Sequence, residues 1–183
     1  GSVVSGEVQV GDEVRVLPSG ETASVETIVL FDQELESAAK PQAVTLTLNK
    51  EIDVSRGDVF VKANQPCEVS DQFDCNLVWL DEEEGYIGRA YWLMLGAQRV
   101  NATLSEIKFK YNVNTLEELP ARGLALNDIG RVTLSCDKAI PFETYEYCRE
   151  MGSLVLIDRF SNATVGAGMV NFALRRAQNI HRH

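Results

Sequence analysis

The first twenty residues decide the fold class, and they read Gly1-Ser-Val-Val-Ser-Gly-Glu-Val-Gln-Val-Gly-Asp-Glu-Val-Arg-Val-Leu-Pro-Ser-Gly20. Apolar and polar side chains alternate from Val8 to Val16, which is the two-residue period of half-buried β-strands. Glycines interrupt the alternation where antiparallel strands turn. The stretch therefore predicts the beginning of a β-barrel. Because the alternation starts at once, without a Met or a leading helix, we expect the chain to be a piece of a larger protein.

The same pattern continues along the chain, so we predict an all-β protein made of two consecutive β-barrels. Val44, Leu46 and Leu48 alternate with polar residues, and residues 34–39 suggest a helical turn that Pro41 ends. Beyond residue 66, regular turn signals separate further predicted strands, as in a second barrel. These strands are residues 73–79, 90–95, 102–110, 130–136, 153–158 and 163–170.

A segment without any period, residues 63–68, separates the two sets of strands and contains Pro66. An aperiodic segment with a proline is typical of a boundary between compact units. We therefore expect one barrel over residues 1–66, a second over residues 67–171, and an exit linker over residues 172–183.

Composition and charge exclude several classes of function. Asp and Glu number 27 against 17 Lys and Arg, which gives a net charge of -10 at pH 7. Because a nucleic-acid surface needs clustered cations, bulk RNA or DNA binding is not expected. No apolar run approaches the roughly 20 residues that cross a bilayer, so we expect no membrane attachment. The four cysteines show no CxxC spacing, and we predict reduced thiols in a cytoplasmic protein.

The sequence offers few groups for chemistry, and we predict no catalytic, cofactor-binding or metal-binding residue in it. Its two histidines, His181 and His183, could hold a metal only in an extended tail, and a tail without a ligand is the preferred interpretation. The acidic residues 81–84 lack the alternating ligands of a calcium loop, so we interpret them as a solvated hairpin tip. Trp79 and Trp92 fall within apolar strands and are assigned to the core.

Several stretches carry a resemblance to a known family. Gly1–Gly6 together with Val10-Gly-Asp-Glu-Val14 resembles the second domain of elongation factor Tu-like GTPases, and Thr164-Val-Gly-Ala-Gly168 is similar to the closing strand of their third domain. Within that superfamily, the chain resembles the GTPase large subunit of heterodimeric bacterial sulfate adenylyltransferase (ATP sulfurylase). The stretches that point to it are Ala43-Val-Thr-Leu-Thr-Leu48, Glu51-Ile-Asp-Val-Ser-Arg-Gly-Asp58, Val113-Asn-Thr-Leu-Glu117, Leu124-Ala-Leu-Asn-Asp-Ile-Gly-Arg131 and Leu156-Ile-Asp-Arg159.

The resemblance implies that the two barrels are a non-catalytic scaffold in a GTP-hydrolysing subunit. GTP and Mg²⁺ would bind to an N-terminal GTPase domain outside this sequence. The expected partners are that domain and the small catalytic subunit, which makes adenosine 5′-phosphosulfate and pyrophosphate from ATP and sulfate in sulfate assimilation. Because adenylylation of sulfate is steeply uphill, we expect GTP hydrolysis to drive it through domain movements that the barrels pass on.

Two places add to or depart from the family pattern. Ala173-Leu-Arg-Arg-Ala-Gln-Asn-Ile-His181 is similar to the segment that leads into a C-terminal adenylylsulfate kinase domain in bifunctional forms. Arg182 and His183 stand where that family usually continues with Trp-Gln. Cys148 stands where related chains tend to carry a polar residue, and we interpret it as a packing thiol.

Two other functions stay open at this stage. In a translation elongation factor-like GTPase the same barrels would contact transfer RNA, which needs a basic surface lined with aromatic residues. The strong negative charge argues against that function. An independent small-molecule-binding barrel with its own enzymatic site would need internal histidines, paired carboxylates or a glycine-rich phosphate loop, and the sequence gives it little support.

Overall fold

The structure is a computed structural model, and it describes residues 1–64 and 67–174. These residues form sixteen strands and one short helix, which confirms the prediction of an all-β chain. They divide into two compact units between Glu68 and Val69. Within the described ranges, no helix is long and apolar enough to cross a membrane. His181 and His183 lie outside the described residues.

The first unit contains seven antiparallel strands around a small apolar core. They are β1 (Glu7–Gln9), β2 (Glu13–Leu17), β3 (Thr22–Leu30), β4 (Gln33–Leu35), β5 (Ser37–Ala39), β6 (Thr45–Leu48) and β7 (Val59–Lys62). One sheet has the order β4-β3-β2-β7 with β6 also paired to β3, and β1 pairs with β5. The alternation in β2 points Val14 into the core, where it packs with Val25 and Ile28.

The predicted helical turn at residues 34–39 is wrong, because these residues form β4 and β5. Leu35 pairs with Ile28 of β3, and Ala38 pairs with Val8 of β1. Ala38 is 2% exposed and belongs to the core of the first unit. Pairing of β4 with the preceding strand β3, and of β5 with the more distant β1, satisfies the backbone donors and acceptors of this segment and outweighs the local preference for a turn of helix.

The second unit contains the remaining strands and the helix. They are β8 (Glu68–Trp79), β9 (Gly85–Tyr86), β10 (Ala90–Leu95), β11 (Gln98–Tyr111), β12 (Glu118–Leu119), β13 (Gly123–Leu124), β14 (Ile129–Phe142), α1 (Arg149–Gly152), β15 (Ser153–Ile157) and β16 (Thr164–Ala173). Six strands follow the order β10-β15-β16-β8-β14-β11, and β10 also pairs with β11, which closes the barrel. β16 ends at Ala173, inside the range that we predicted as an exit linker.

The interior of this barrel is filled by alternate residues of its strands. Trp79, Leu93, Leu134 and Leu156 are each at most 1% exposed, and burying a side chain of this size contributes about 1.5–3 kcal/mol. β8 and β16 approach so closely that a β-carbon on Gly168 would collide with the carbonyl oxygen of Asn76. This glycine of the Val-Gly-Ala-Gly motif is therefore required for packing.

Candidate functional site

The acidic residues 81–84 are mostly exposed, and they connect β8 to β9. They do not form a hairpin tip, because β9 pairs with β13 and not with β8. The indole Nε1 of Trp79 donates a hydrogen bond to the carbonyl oxygen of Glu83 at 2.8 Å. The carboxylate of Glu83 pairs with Arg89 at 3.0 Å. Among the described residues, no group of three or more Asp, Glu, His or Cys side chains is arranged to hold a metal ion.

Asp74 on β8 carries a fully buried carboxylate in the second unit. Its Oδ1 accepts hydrogen bonds from Arg131 Nε at 2.9 Å and from Asn171 Nδ2 at 3.0 Å, and its Oδ2 accepts one from Lys108 Nζ. Burial raises the pKa of Asp74, but the hydrogen bonds from Lys108, Asn171 and Arg131 outweigh burial and hold the pKa below its ordinary value. The ring of Phe172 lies 5.7 Å from the Lys108 ammonium and 5.5 Å from the Arg131 guanidinium.

Sequence reasoning missed this ion cluster. A weak signal was present, since Asp74 interrupts the apolar strand between Phe73 and Cys75. The partners of Asp74 stand 34 and 57 residues away along the chain, and no local spacing indicates them. Because the carboxylate is enclosed and neutralised by fixed donors, the cluster ties β8, β11, β14 and β16 together.

A second charged cluster fixes the loop between β15 and β16. Asp158 Oδ1 accepts hydrogen bonds from the backbone N–H groups of Phe160 at 2.8 Å and Ser161 at 3.0 Å. Asp158 Oδ2 pairs with Arg89 at 2.8 Å. The backbone N–H groups of Ser161 and Phe160 hold the pKa of Asp158 below its ordinary value. This carboxylate belongs to the Leu156-Ile-Asp-Arg159 stretch, so that stretch has a structural role.

Of the two tryptophans assigned to the core, one is buried and one is not. Trp79 is 1% exposed and packs edge-on against Tyr91, with ring centroids 5.6 Å apart. The assignment of Trp92 to the core is wrong, because alternation along β10 points Tyr91 and Leu93 inward and Trp92 outward. On the outside of the barrel, the guanidinium carbons of Arg99 and Arg159 lie 4.6 Å and 5.2 Å from the indole centroid of Trp92.

The four cysteines all lie within the described residues and form no disulfide. Cys148 is 5% exposed, directly before α1, and its Sγ lies 3.5 Å from Oε2 of Glu150. Burial raises the pKa of the Cys148 thiol, which keeps it protonated. This environment supports the interpretation of Cys148 as a packing thiol.

Residues 72–171 match the family model described as GTP-eEF1A C-terminal domain-like. That match covers more than half of the 183 residues and contains most of the closed barrel. The chain belongs to this family. The prediction of an elongation factor Tu-like barrel in this part of the chain is thereby confirmed.

Curated relatives of this GTP-eEF1A C-terminal domain-like chain extend the similarity to its first unit. It is 45% identical over 174 residues to sulfate adenylyltransferase subunit 1 of Laribacter hongkongensis, which covers 94% of this chain and 36% of that protein. It is 45% identical over 181 residues to the bifunctional enzyme CysN/CysC of Xylella fastidiosa, which covers 99% of this chain and 29% of that protein. The chain therefore spans about a third of the length of these relatives. The resemblance to the sulfate adenylyltransferase large subunit is confirmed.

A solved structure shows the same fold at lower identity. Sup35 in complex with GDP superposes with a TM-score of 0.87 at 20% identity, over 96% of this chain and 43% of that chain. This likeness concerns the fold alone. Together with the closed ladder of the second unit, it agrees with the predicted pair of barrels of the translational GTPase type.

Proposed function

We propose that this chain forms the two non-catalytic barrels of the GTP-hydrolysing subunit of sulfate adenylyltransferase. In this function the barrels couple GTP hydrolysis to the formation of adenosine 5′-phosphosulfate and pyrophosphate from ATP and sulfate, in the cytoplasm. The observation that carries the proposal is 45% identity to sulfate adenylyltransferase subunit 1 across 94% of the chain.

The geometry of the second unit suits a rigid coupling element. Asp74 and Asp158 are largely buried, and each is held by cations or backbone donors that lower its pKa. A carboxylate with a lowered pKa is a poor general acid or base near neutral pH. The closed ladder of six strands favours movement of the barrel as one body, so that a displacement at one face reaches the opposite face.

The proposal assigns the reacting groups to other parts of the complex. GTP and Mg²⁺ bind to an N-terminal GTPase domain, and ATP and sulfate bind to a small catalytic subunit. The barrels contact both of these partners. Two bifunctional relatives, CysN/CysC of Xylella fastidiosa and NodQ of Azospirillum brasilense, motivate a further assay for adenylylsulfate kinase activity in the full-length protein.

The test measures pyrophosphate release by the full-length protein that contains this chain, mixed with its small catalytic subunit. We expect release that requires ATP and sulfate and that GTP stimulates, with GDP in place of GTP as the matched control. Addition of this chain alone in excess is expected to inhibit release, because free barrels compete for the small subunit. Absence of sulfate-dependent release, together with salt-sensitive binding of transfer RNA, would replace this proposal with the translation-factor function.

A further inference from the structure

The outer face of the second barrel carries an apolar patch with an arginine on each side. Trp92 and Met94 of β10 pair with Ile157 and Val155 of β15, and paired residues of neighbouring strands share one face. Arg99 of β11 pairs with Met94, and Arg159 follows β15. All six side chains are partly or fully exposed. We call this set the Trp92 surface: Trp92, Met94, Arg99, Val155, Ile157 and Arg159.

Among the described residues, the two arginines of this surface are not engaged in ion pairs, unlike three other cations of the same barrel. Arg89, Lys108 and Arg131 pair with carboxylates of the chain. Arg99 and Arg159 are exposed, and neither makes an ion pair with any residue in the described ranges 1–64 and 67–174. Each instead lies over the Trp92 ring. A chain with a net charge of -10 thus presents two guanidinium groups without a carboxylate at one place.

Three kinds of occupant can be compared by their charge. A second copy of the same surface in a two-fold contact would bring arginines against arginines, which is unfavourable. A nucleic acid carries a continuous row of phosphates and needs a broader cluster of cations than the two arginines of this surface. An acidic protein segment suits both groups, because a guanidinium that stacks on an indole keeps its edge N–H donors available for a carboxylate. Trp, Met and Arg are also the residues enriched in the centres of protein interfaces.

We propose that the Trp92 surface docks an acidic segment of the small catalytic subunit, with carboxylates on Arg99 and Arg159 and an apolar side chain on Trp92. This inference rests on the proposed function. The loop that Asp158 fixes holds Arg159 in position and presents Phe160, which is 92% exposed, beside the docked segment. A preorganised loop reduces the entropy lost on docking.

The test compares variants of the full-length protein in titration calorimetry against the small catalytic subunit. We expect Arg99→Glu with Arg159→Glu to weaken binding at least about tenfold, and Trp92→Ala to weaken it by a similar factor. Arg99→Lys with Arg159→Lys keeps the charge and is expected to lose less affinity. The matched control reverses two exposed cations elsewhere, Lys50→Glu with Arg122→Glu, and is expected to bind as the unchanged protein does. Higher salt is expected to lower the affinity of the unchanged protein for the small subunit more than it lowers the affinity of the Arg99/Arg159 double Glu variant.

Each other outcome overturns the inference. Equal binding by the Arg99/Arg159 double Glu variant and the Lys50/Arg122 control, with melting temperatures that show both to be folded, removes this surface from the contact. Unchanged binding with an altered rate of GTP hydrolysis assigns the surface to the GTPase domain of the same protein. If the unchanged protein does not bind the small subunit at all, the proposed function fails with the inference. If the full-length protein shows sulfate-dependent, GTP-stimulated pyrophosphate release but the variants bind the small subunit as the unchanged protein does, the inference fails and the proposed function stands.

Discussion

Gly85 lies against the indole ring of Trp79, so close that a β-carbon on residue 85 would stand 2.7 Å from the ring atom Cη2. The same indole donates its N–H to the carbonyl oxygen of Glu83 and packs edge-on against Tyr91. Through these contacts with Glu83 and Gly85, the buried Trp79 ring fixes the path of the acidic connection between β8 and β9. The connection is exposed to solvent on one side and held by a buried ring on the other.

Replacement of Gly85 by Ala is expected to destabilise the second unit. The added methyl group meets the ring of an indole that is only 1% exposed, and overpacking of this kind costs about 1–3 kcal/mol. Scanning calorimetry should show a lower melting temperature for the transition of this unit. Glu82→Ala, a change to an exposed residue of the same connection, is the control and should stay within about 0.5 kcal/mol. A Gly85→Ala melting temperature equal to that of the control would contradict this packing.

Replacement of Asp74 by Asn is expected to destabilise the second unit by about 1–3 kcal/mol. The carboxamide keeps one acceptor oxygen, but its N–H₂ group faces a cation that now lacks a counter-charge. Lys108 and Arg131 keep 30% and 32% of their side chains exposed, so water recovers part of the loss. Urea denaturation at pH 7 measures the difference. Glu146→Gln, which neutralises an exposed carboxylate of the same unit, is the control.

The contribution of Asp74 also has a definite pH dependence. Its pKa is lower in the folded state than the ordinary value of 3.8, so the folded state binds fewer protons than the unfolded state in acid. The stabilisation is therefore fully present above pH 3.8 and is lost as the pH falls below that value through the folded pKa. We expect the stability difference between the unchanged protein and Asp74→Asn to be constant from neutral pH down to mildly acidic pH and then to shrink. A difference that grows in acid would contradict the lowered pKa.

The strands were predictable because their two-residue period reflects one buried face. Residues 90–95 coincide with β10, yet the buried face of that strand was not predictable in the same way. Every residue from Ala90 to Leu95 is apolar or aromatic, so alternation of polarity cannot show which side Trp92 faces. The outward direction of Trp92 is shown by tertiary contacts. Trp92 pairs with Ile157 of β15, and Arg99 and Arg159 lie over its ring.

The charged clusters were less predictable than the strands for a related reason. Asp74 and Asn171 are 97 residues apart in sequence, yet Nδ2 of Asn171 lies 3.0 Å from Oδ1 of Asp74. A polar residue in a strand is expected to face solvent, and only the strands packed around it show that Asp74 is enclosed. Asp158 gave a stronger local signal. Its carboxylate accepts hydrogen bonds from the backbone N–H groups of the residues two and three positions later, which is a common turn pattern for Asp.

Replacement of Asp158 by Ala is expected to loosen the loop between β15 and β16. Phe160 and Ser161 lose the acceptor of their backbone N–H groups, and Arg89 loses the closer of its two carboxylates. We expect a loss of about 1–3 kcal/mol in unfolding free energy and faster amide hydrogen exchange at both loop residues. Asp158→Asn keeps an acceptor oxygen for the loop and should preserve most of the exchange protection. Equal exchange rates in the Ala and Asn variants would contradict the capping role.

The cysteines are expected to react with thiol reagents in an order set by burial. Burial raises the pKa of Cys75 well above its ordinary value, raises the pKa of Cys136 to about 12, and also raises the pKa of Cys148. Cys67 is the partly exposed thiol of the four. Because the thiolate is the reactive form and access is also required, brief alkylation at pH 8 followed by mass spectrometry should label Cys67 first. In denaturant all four should react, which is the control for reagent bias. Labelling of Cys148 ahead of Cys67 in the native protein would show that its thiol is activated, and the packing interpretation would then be wrong.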